Sequence, residues 1–470
     1  MLRAFVIATA ITAGLHAGTL RPDAAPAPST DQVIIHVLNR IGYGARPGDV
    51  DRIRATGLER YIDEQLHPER IADRSMSVRL AGLTTIGMSA SQIAERIELP
   101  AIEARRGRKR QAASNQEPAT GKPARDPLQQ QANALVVELA QAKVLRAVYS
   151  ERQLQEVLTD FWFNHFNVDA RKNRERFLLT VYERETIRPH VLGRFRDLLE
   201  ATARDPAMLV YLDNWMSADP NAPARMRAGA ANNRPRGINE NYARELMELH
   251  TLGVDGGYTQ KDVTEVARAF TGWSIENPRR GSGFRFDPRM HNAGPKIVLG
   301  HKIAGGGGES DGERVLDLLA SHPSTARFIA FKLARRLVGD DPPPALVDRA
   351  AARFRATGGD LREVTRTILT SPEFLAPDAY AVKVKTPFEF VVSALRATGT
   401  DVVDARAIAR ELREMGMPLY MCQPPTGYAD TADAWVNTGT LVARLNYALK
   451  LAGPDMQMAQ LLGAPEFQKR

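Results

Sequence analysis

The chain has 470 residues, one cysteine and a formal net charge of +8. A single cysteine excludes an internal disulfide, and the length allows a large apolar core without one. The basic excess comes with no zinc-finger spacing, glycine-rich phosphate loop or RNA-binding aromatic motif, so nucleic acid is not the expected partner.

In chain order, the first segment reads as an export leader. Arg3 supplies a positive start, Ala4 to Leu15 is an apolar run too short to span a bilayer, and Ala17 offers a small residue for cleavage. Residues 1–17 are therefore expected to be a signal peptide and 18–30, rich in Pro and Ala, a flexible lead-in. No later apolar stretch is long enough for a membrane helix, so the mature chain is expected to be exported, periplasmic or extracellular, and not transmembrane. Residues 31–470 read as one helical domain, with two lobes as the alternative, because the links between helical segments are short.

Pro47 marks the first turn of a helix that stops at Gly57, and Leu58 to Leu66 begins the next. Arg105 to Arg110 holds five basic residues in six and opens a polar stretch, so 101–126 is expected to be a disordered basic insert. Such a run suits an anionic envelope polymer. Helical pattern resumes over Leu128 to Tyr149. Ser150 and Gln153 read as a capping box opening a helix that runs into Phe161-Trp-Phe-Asn-His-Phe166. Asp205 caps another, and Thr259 with Asp262 resembles a further capping box. Strand character is confined to about 281–303, where Phe284 to Asp287 and Lys296 to Leu299 favour a small β-hairpin on an α-helical body. Beyond it come Ser324 to Val338, expected to bury Phe328, Phe331, Leu333 and Leu337, then Pro343 to Ala356, Leu361 to Thr370, Pro387 to Ala397, Ala405 to Met415 and Thr438 to Leu451. The fold class is thus mainly α.

Three regions gather chemistry. The first is Phe161 to Asn167, where Asp160, Asn164 and Asn167 share a face and His165 lies among aromatics. The second is a helix from its N-cap Asn239 to its stop at Gly253. At about 100° per residue, Asn241, Arg244, Glu245 and Glu248 fall on one face and His250 on another. Asp213 shortly precedes it. The third is a Gly/Pro-rich turn with Asp287, His291 and Lys296, and turns project side chains into clefts. Each has a plain structural alternative. His165 would be a satisfied core histidine, Glu240–Arg244 and Arg244–Glu248 would be helix-stabilising pairs, and Asp287 and His291 would hold the turn. Cys422 reads as a buried, inert thiol.

The same segments carry a resemblance. Asn239 to Gly253, Gly257 to Val263 and Ala269 to Trp273, with His36 to Gly44, Phe161 to Val168, Tyr211 to Asn214, His291 to Gly300, Gly359 to Arg362 and Leu369 to Phe374, resemble the bacterial family catalogued as domain of unknown function 1800. That family usually shows His-Asp in the turn where this chain has His291-Asn292, which removes an acidic role at position 292. The resemblance implies an exported, mainly helical protein, often encoded beside a sulfatase-like exported family, and brings no established activity.

Two functions fit these residues. One is a metal-assisted hydrolase of an envelope or extracellular polymer. Its metal, one divalent ion, would be held by His165, Glu245 and His291, with Glu245, Glu248 and His291 catalytic and Asp213, Asn241, Arg244 and Lys296 in support. The other is a non-catalytic binding or assembly module serving an exported sulfatase-like partner, in which the same residues form a polar network.

Overall fold

The computed structural model describes residues 29–114, 127–172, 174–222, 237–277 and 283–470. The expected signal peptide lies outside them. Among the described residues the chain is mainly helical, and shorter helices such as Phe195–Arg204, Leu361–Leu369 and Ala405–Glu414 carry a single apolar face. The elements that shape the site are α1 (Thr30–Ile41), α2 (Pro127–Tyr149), α3 (Gln153–His165), α4 (Phe195–Arg204), α5 (Pro206–Tyr211), α6 (Glu240–Glu248), α7 (Gln260–Ala269), α8 (Glu309–Ser321), α9 (Pro323–Leu337), α10 (Pro387–Thr398) and α11 (Ala405–Glu414).

The caps are mostly where polar residues call for them. The Asn239 side chain accepts from the Tyr242 amide to start α6, Thr259 and Asp262 form a full capping box on α7, and Asp205 accepts from Ala207 at the start of α5. Each satisfies a backbone N–H that the first turn leaves open. The box expected at Ser150 is absent. Ser150 Oγ instead donates to Asp73 and accepts from the Arg152 amide, and α3 begins at Gln153.

Part of the segment expected to be a disordered insert has helical conformation. Residues 101–114 continue the helix Leu99–Ser114, while 115–126 lie outside the described residues. Ala, Glu, Gln and Arg are strong helix formers, and this outweighs the lack of apolar surface.

The strand-like region makes the expected small hairpin, over residues 296–303, and a second small ladder. β1 (Trp273–Ile275) pairs antiparallel with β2 (Phe284–Phe286), and β3 (Lys296–Val298) with β4 (His301–Ile303). Phe284 to Phe286 therefore finds its partner before it in the chain, at the end of α7.

A contiguous set of buried apolar side chains runs from Ile34 to Leu462. Several segments quoted for the family resemblance turn out to be one another's partners. His36 bonds the Phe374 carbonyl at 2.8 Å, His165 bonds the His250 carbonyl at 3.1 Å, and Asn239 Nδ2 donates to Leu212 O. No helix among the described residues is long and apolar enough to cross a membrane.

Candidate functional site

Three groups of polar residues emerge, and the first surrounds a cavity of about 260 Å³ between α3, α9 and the loop 417–430. α3 supplies Asp160, Asn164 and His165. α9 supplies Phe328, Phe331, Lys332 and Arg335, spaced i, i+3, i+4 and i+7 and therefore on one face. Phe328 and Phe331, expected in the core, are half-buried on this wall, while Leu333 and Leu337 are fully buried behind them.

The loop is pinned to α3 by asparagines. Asn164 donates to Tyr428 O at 2.8 Å and accepts from the Tyr428 amide at 2.7 Å, and Asn167 donates to the Cys422 and Pro424 carbonyls. Gly427 makes this approach possible. Its φ is +74°, and a Cβ there would lie 2.3 Å from Asn164 O. The loop also separates two recesses. Tyr420 and Cys422 line the α3–α9 cavity, Pro418 and Met421 line a second recess beside α2, and Leu419 lines both.

His165 is buried, and both its ring nitrogens are occupied. Nε2 lies 3.1 Å from His250 O and so carries the hydrogen, leaving Nδ1 to accept from Lys332 Nζ at 3.0 Å. Burial, with Lys332 next, holds the imidazolium form of His165 well below its ordinary range, so the ring is neutral. Burial also lowers Lys332 to about 8, with Asp430 opposing. Two other cations on the wall, Lys143 and Arg336, are compensated. Lys143 meets Asp160 at 2.5 Å, and Arg336 meets Glu389 at 2.7 Å and Asp430 at 3.5 Å. Lys332 has no carboxylate within ion-pair distance among the described residues, and Arg335 bonds the Asp340 carbonyl and lies over Phe331. Cys422 lines the same cavity with its thiol pushed up to about 11 by burial, an unreactive state.

The second group is α6. It ends against the first, through the His165 bond to His250 O, and Gly253 (φ +83°) lets the chain turn with Phe328 close above it. Its polar face is at the surface. Asn241 is exposed, and Arg244, Glu245 and Glu248 are half-buried. The expected i,i+4 pairs do not form. Arg244 donates to Gln260 Oε1, Gln260 and Thr264 donate to Glu240, and Tyr258 OH donates to Glu248. α7 packs beside α6 and offers these partners at shorter reach. Burial and the neighbouring Glu248 raise the Glu245 carboxyl above its ordinary value. Asp213, in the left-handed conformation at φ +60°, pairs with Lys172 at 3.0 Å.

The third group is sealed. Lys296 Nζ lies 2.6 Å from Asp311 Oδ2 and also donates to the Asn292 and Gly294 carbonyls. Both side chains of that pair have no exposure. His291 Nδ1 faces Thr271 O at 2.8 Å, and Nε2 faces the same Asp311 Oδ2 at 3.2 Å. A carbonyl cannot donate, so Nδ1 carries the hydrogen of its contact with Thr271 O. Asp287 does not meet His291. It binds Arg289 twice, at 2.9 and 2.8 Å.

The proposed ligand trio is therefore not assembled. Among the described residues no group of three or more His, Cys, Asp or Glu side chains is arranged to hold a metal ion. His165 and His291 each spend both nitrogens on protein partners, and Glu245 sits on the α6 surface. Sequence reasoning missed Lys332, Arg335 and Asp311. The Phe-Phe-Lys-Arg face of α9 carried a signal for the first two. Asp311 carried none, because its partners come from a turn 15 and 20 residues earlier.

Fold and site together define a helical protein with a cation-bearing, aromatic-walled cavity and a separate sealed ionic centre. The chain belongs to the family described as Protein of unknown function (DUF1800), whose family model matches residues 36–469. No curated protein and no solved structure matches it.

Proposed function

We propose that this protein is an exported binding module whose cavity between α3, α9 and the 417–430 loop takes an acidic sugar segment of an envelope or extracellular polymer, in support of an exported partner. The observation that carries this reading is Lys332. Its one hydrogen bond among the described residues goes to a neutral histidine, so the wall has a cation with no carboxylate within ion-pair distance there, flanked by Arg335. An anionic ligand group would supply a countercharge in a partly dehydrated setting, where charge-assisted bonds are strong. Phe328 and Phe331 offer apolar faces beside it, the usual companion of a few directional polar groups in a ligand site. The leader-like first residues support export.

Calorimetric titration with uronate-containing and sulfated polysaccharides, against a neutral polysaccharide of similar length, tests this. Lys332→Met should weaken binding of the acidic polymer by about tenfold or more, the size of one lost charge-assisted contact, with the melting temperature held. Equal binding of the neutral polymer, or unchanged binding by Lys332→Met, overturns the reading. The metal-assisted hydrolase would regain the lead if purified protein carried one equivalent of divalent metal that His165→Ala or His291→Ala removed.

A further inference from the structure

A second recess of about 480 Å³ lies between α2, α11 and residues 418–421 of the loop. Its floor is apolar, with Val136, Val137 and Ala140 of α2 and Met421 of the loop. Val137 is 42 % exposed there, an apolar side chain left in water. Arginines line both walls. Arg406, Arg410 and Arg413 of α11 stand at i, i+4 and i+7, one face of that helix, and Arg171 and Arg176 face them. Arg171 is paired with Asp169 and Arg406 with Asp404. Arg176, Arg410 and Arg413 have no carboxylate within ion-pair distance among the described residues. Among the described residues Arg176 reaches Asn133, and Arg413 the Met421 sulfur.

We propose that this groove docks an acidic amphipathic helix of a protein partner. The floor requires an apolar face, and the α11 arginines require negative charges spread along about 10 Å, the rise of seven helical residues. A helix with carboxylates at the same spacing on one side and aliphatic residues on the other meets both demands at once. Charge complementarity of this kind also selects the partner by steering its approach. A lipid headgroup would gather the arginines at one end, whereas they run along both walls. Single-stranded nucleic acid needs aromatic platforms, and the lining has none. This inference does not rest on the acidic-sugar reading of the α3–α9 cavity.

The test is fluorescence anisotropy of the full chain with a labelled synthetic helix bearing Glu at i, i+4 and i+7 and Leu on the opposite face. Two control peptides replace Leu by Ser or Glu by Gln. Saturable binding of the first peptide is expected, with both controls weaker by about tenfold or more. Arg410→Glu with Arg413→Glu, and separately Val137→Asp, should each lower affinity by at least about tenfold, as each removes one half of the match. Lys332→Met should leave this binding unchanged, which separates the groove from the cavity. The proposal fails if the peptide does not bind, if a control peptide binds equally, or if charge reversal of α11 has no effect. It also fails if phosphatidylglycerol vesicles or an oligonucleotide bind in an Arg410-dependent way and the peptide does not.

Discussion

Asp311 shows how one buried carboxylate can hold several segments. It receives Lys296 at 2.6 Å and His291 at 3.2 Å on a single oxygen, inside a region closed to solvent. Removing one partner leaves an uncompensated buried charge, which costs about 3–5 kcal/mol, whereas removing both with apolar residues of similar size is often nearly neutral. Asp311→Ala should thus lower the urea midpoint sharply, and Lys296→Met with Asp311→Leu should recover most of the loss. A double variant no better than the single one would count against the pair as the source of the effect. This residue also marks the limit of the sequence. His291 was visible as a turn histidine, but a helix residue 20 positions later is not tied to it by any periodicity. Asp287, nearer in the chain, looked like its partner and serves Arg289 instead. At α6 the polar face was legible from spacing. Its lack of internal ion pairs was not, because α7 had to arrive before Gln260 and Thr264 could compete for Arg244 and Glu240.

At the scale of elements, most helices were legible because caps and apolar spacing agree, as at Asn239, Thr259 and Asp360. The ladders β1–β2 and β3–β4 were half legible, since three-residue strands carry too few residues to name their partners. The loop 417–430 was not legible as a cavity wall, because its position depends on two asparagines of α3 far away in sequence. Asn164→Ala would remove both of its bonds to Tyr428, leaving a half-buried amide and carbonyl to water. A loss of about 1–3 kcal/mol is expected, and hydrogen exchange should rise first at residues 424–430. Exchange rising equally across α3 would instead mean that the helix, not the loop, depends on the contact. Gly427→Ala should give the same local pattern for a steric reason, since its Cβ has no room beside Asn164 O.

Across the whole molecule, buried histidines shape the response to acid. Burial, then the neighbouring Arg40, lowers His36 to about 3, and burial, then Lys332, lowers His250 to about 3, against an ordinary value of 6.5. His165 is held down in the same direction. All three are neutral when folded, so below pH 6.5 the unfolded chain binds more protons. Their stabilisation is fully present above 6.5 and is lost as pH falls toward 3, by about 1.4 kcal/mol per pH unit for each group. Glu389 adds to this loss between 4.5 and about 2, because Arg336 and Arg470 outweigh its burial and keep it ionised. Asp205, raised by burial to about 6 from 3.8, opposes it in between, as a group that takes its proton more readily when folded. Glu175 and Glu245, whose carboxyls burial also raises, oppose it as well, so the histidine contribution is isolated by comparison: His36→Gln with His250→Gln should make the urea midpoint less dependent on pH between 6.5 and 4.5. A double variant with an unchanged pH profile would show that these rings are solvated.

The loop shared by the two recesses has a consequence for how the protein responds as a whole. Leu419 belongs to both linings and is itself buried, so the partition there is a single side chain thick. A partition that thin cannot shift toward one compartment without enlarging the other. Ligands filling both compartments would press on this one shared side chain from opposite sides, and linkage would make any effect equal in both directions. Leu419→Ala would breach the partition, and with it any dependence of one compartment on the other.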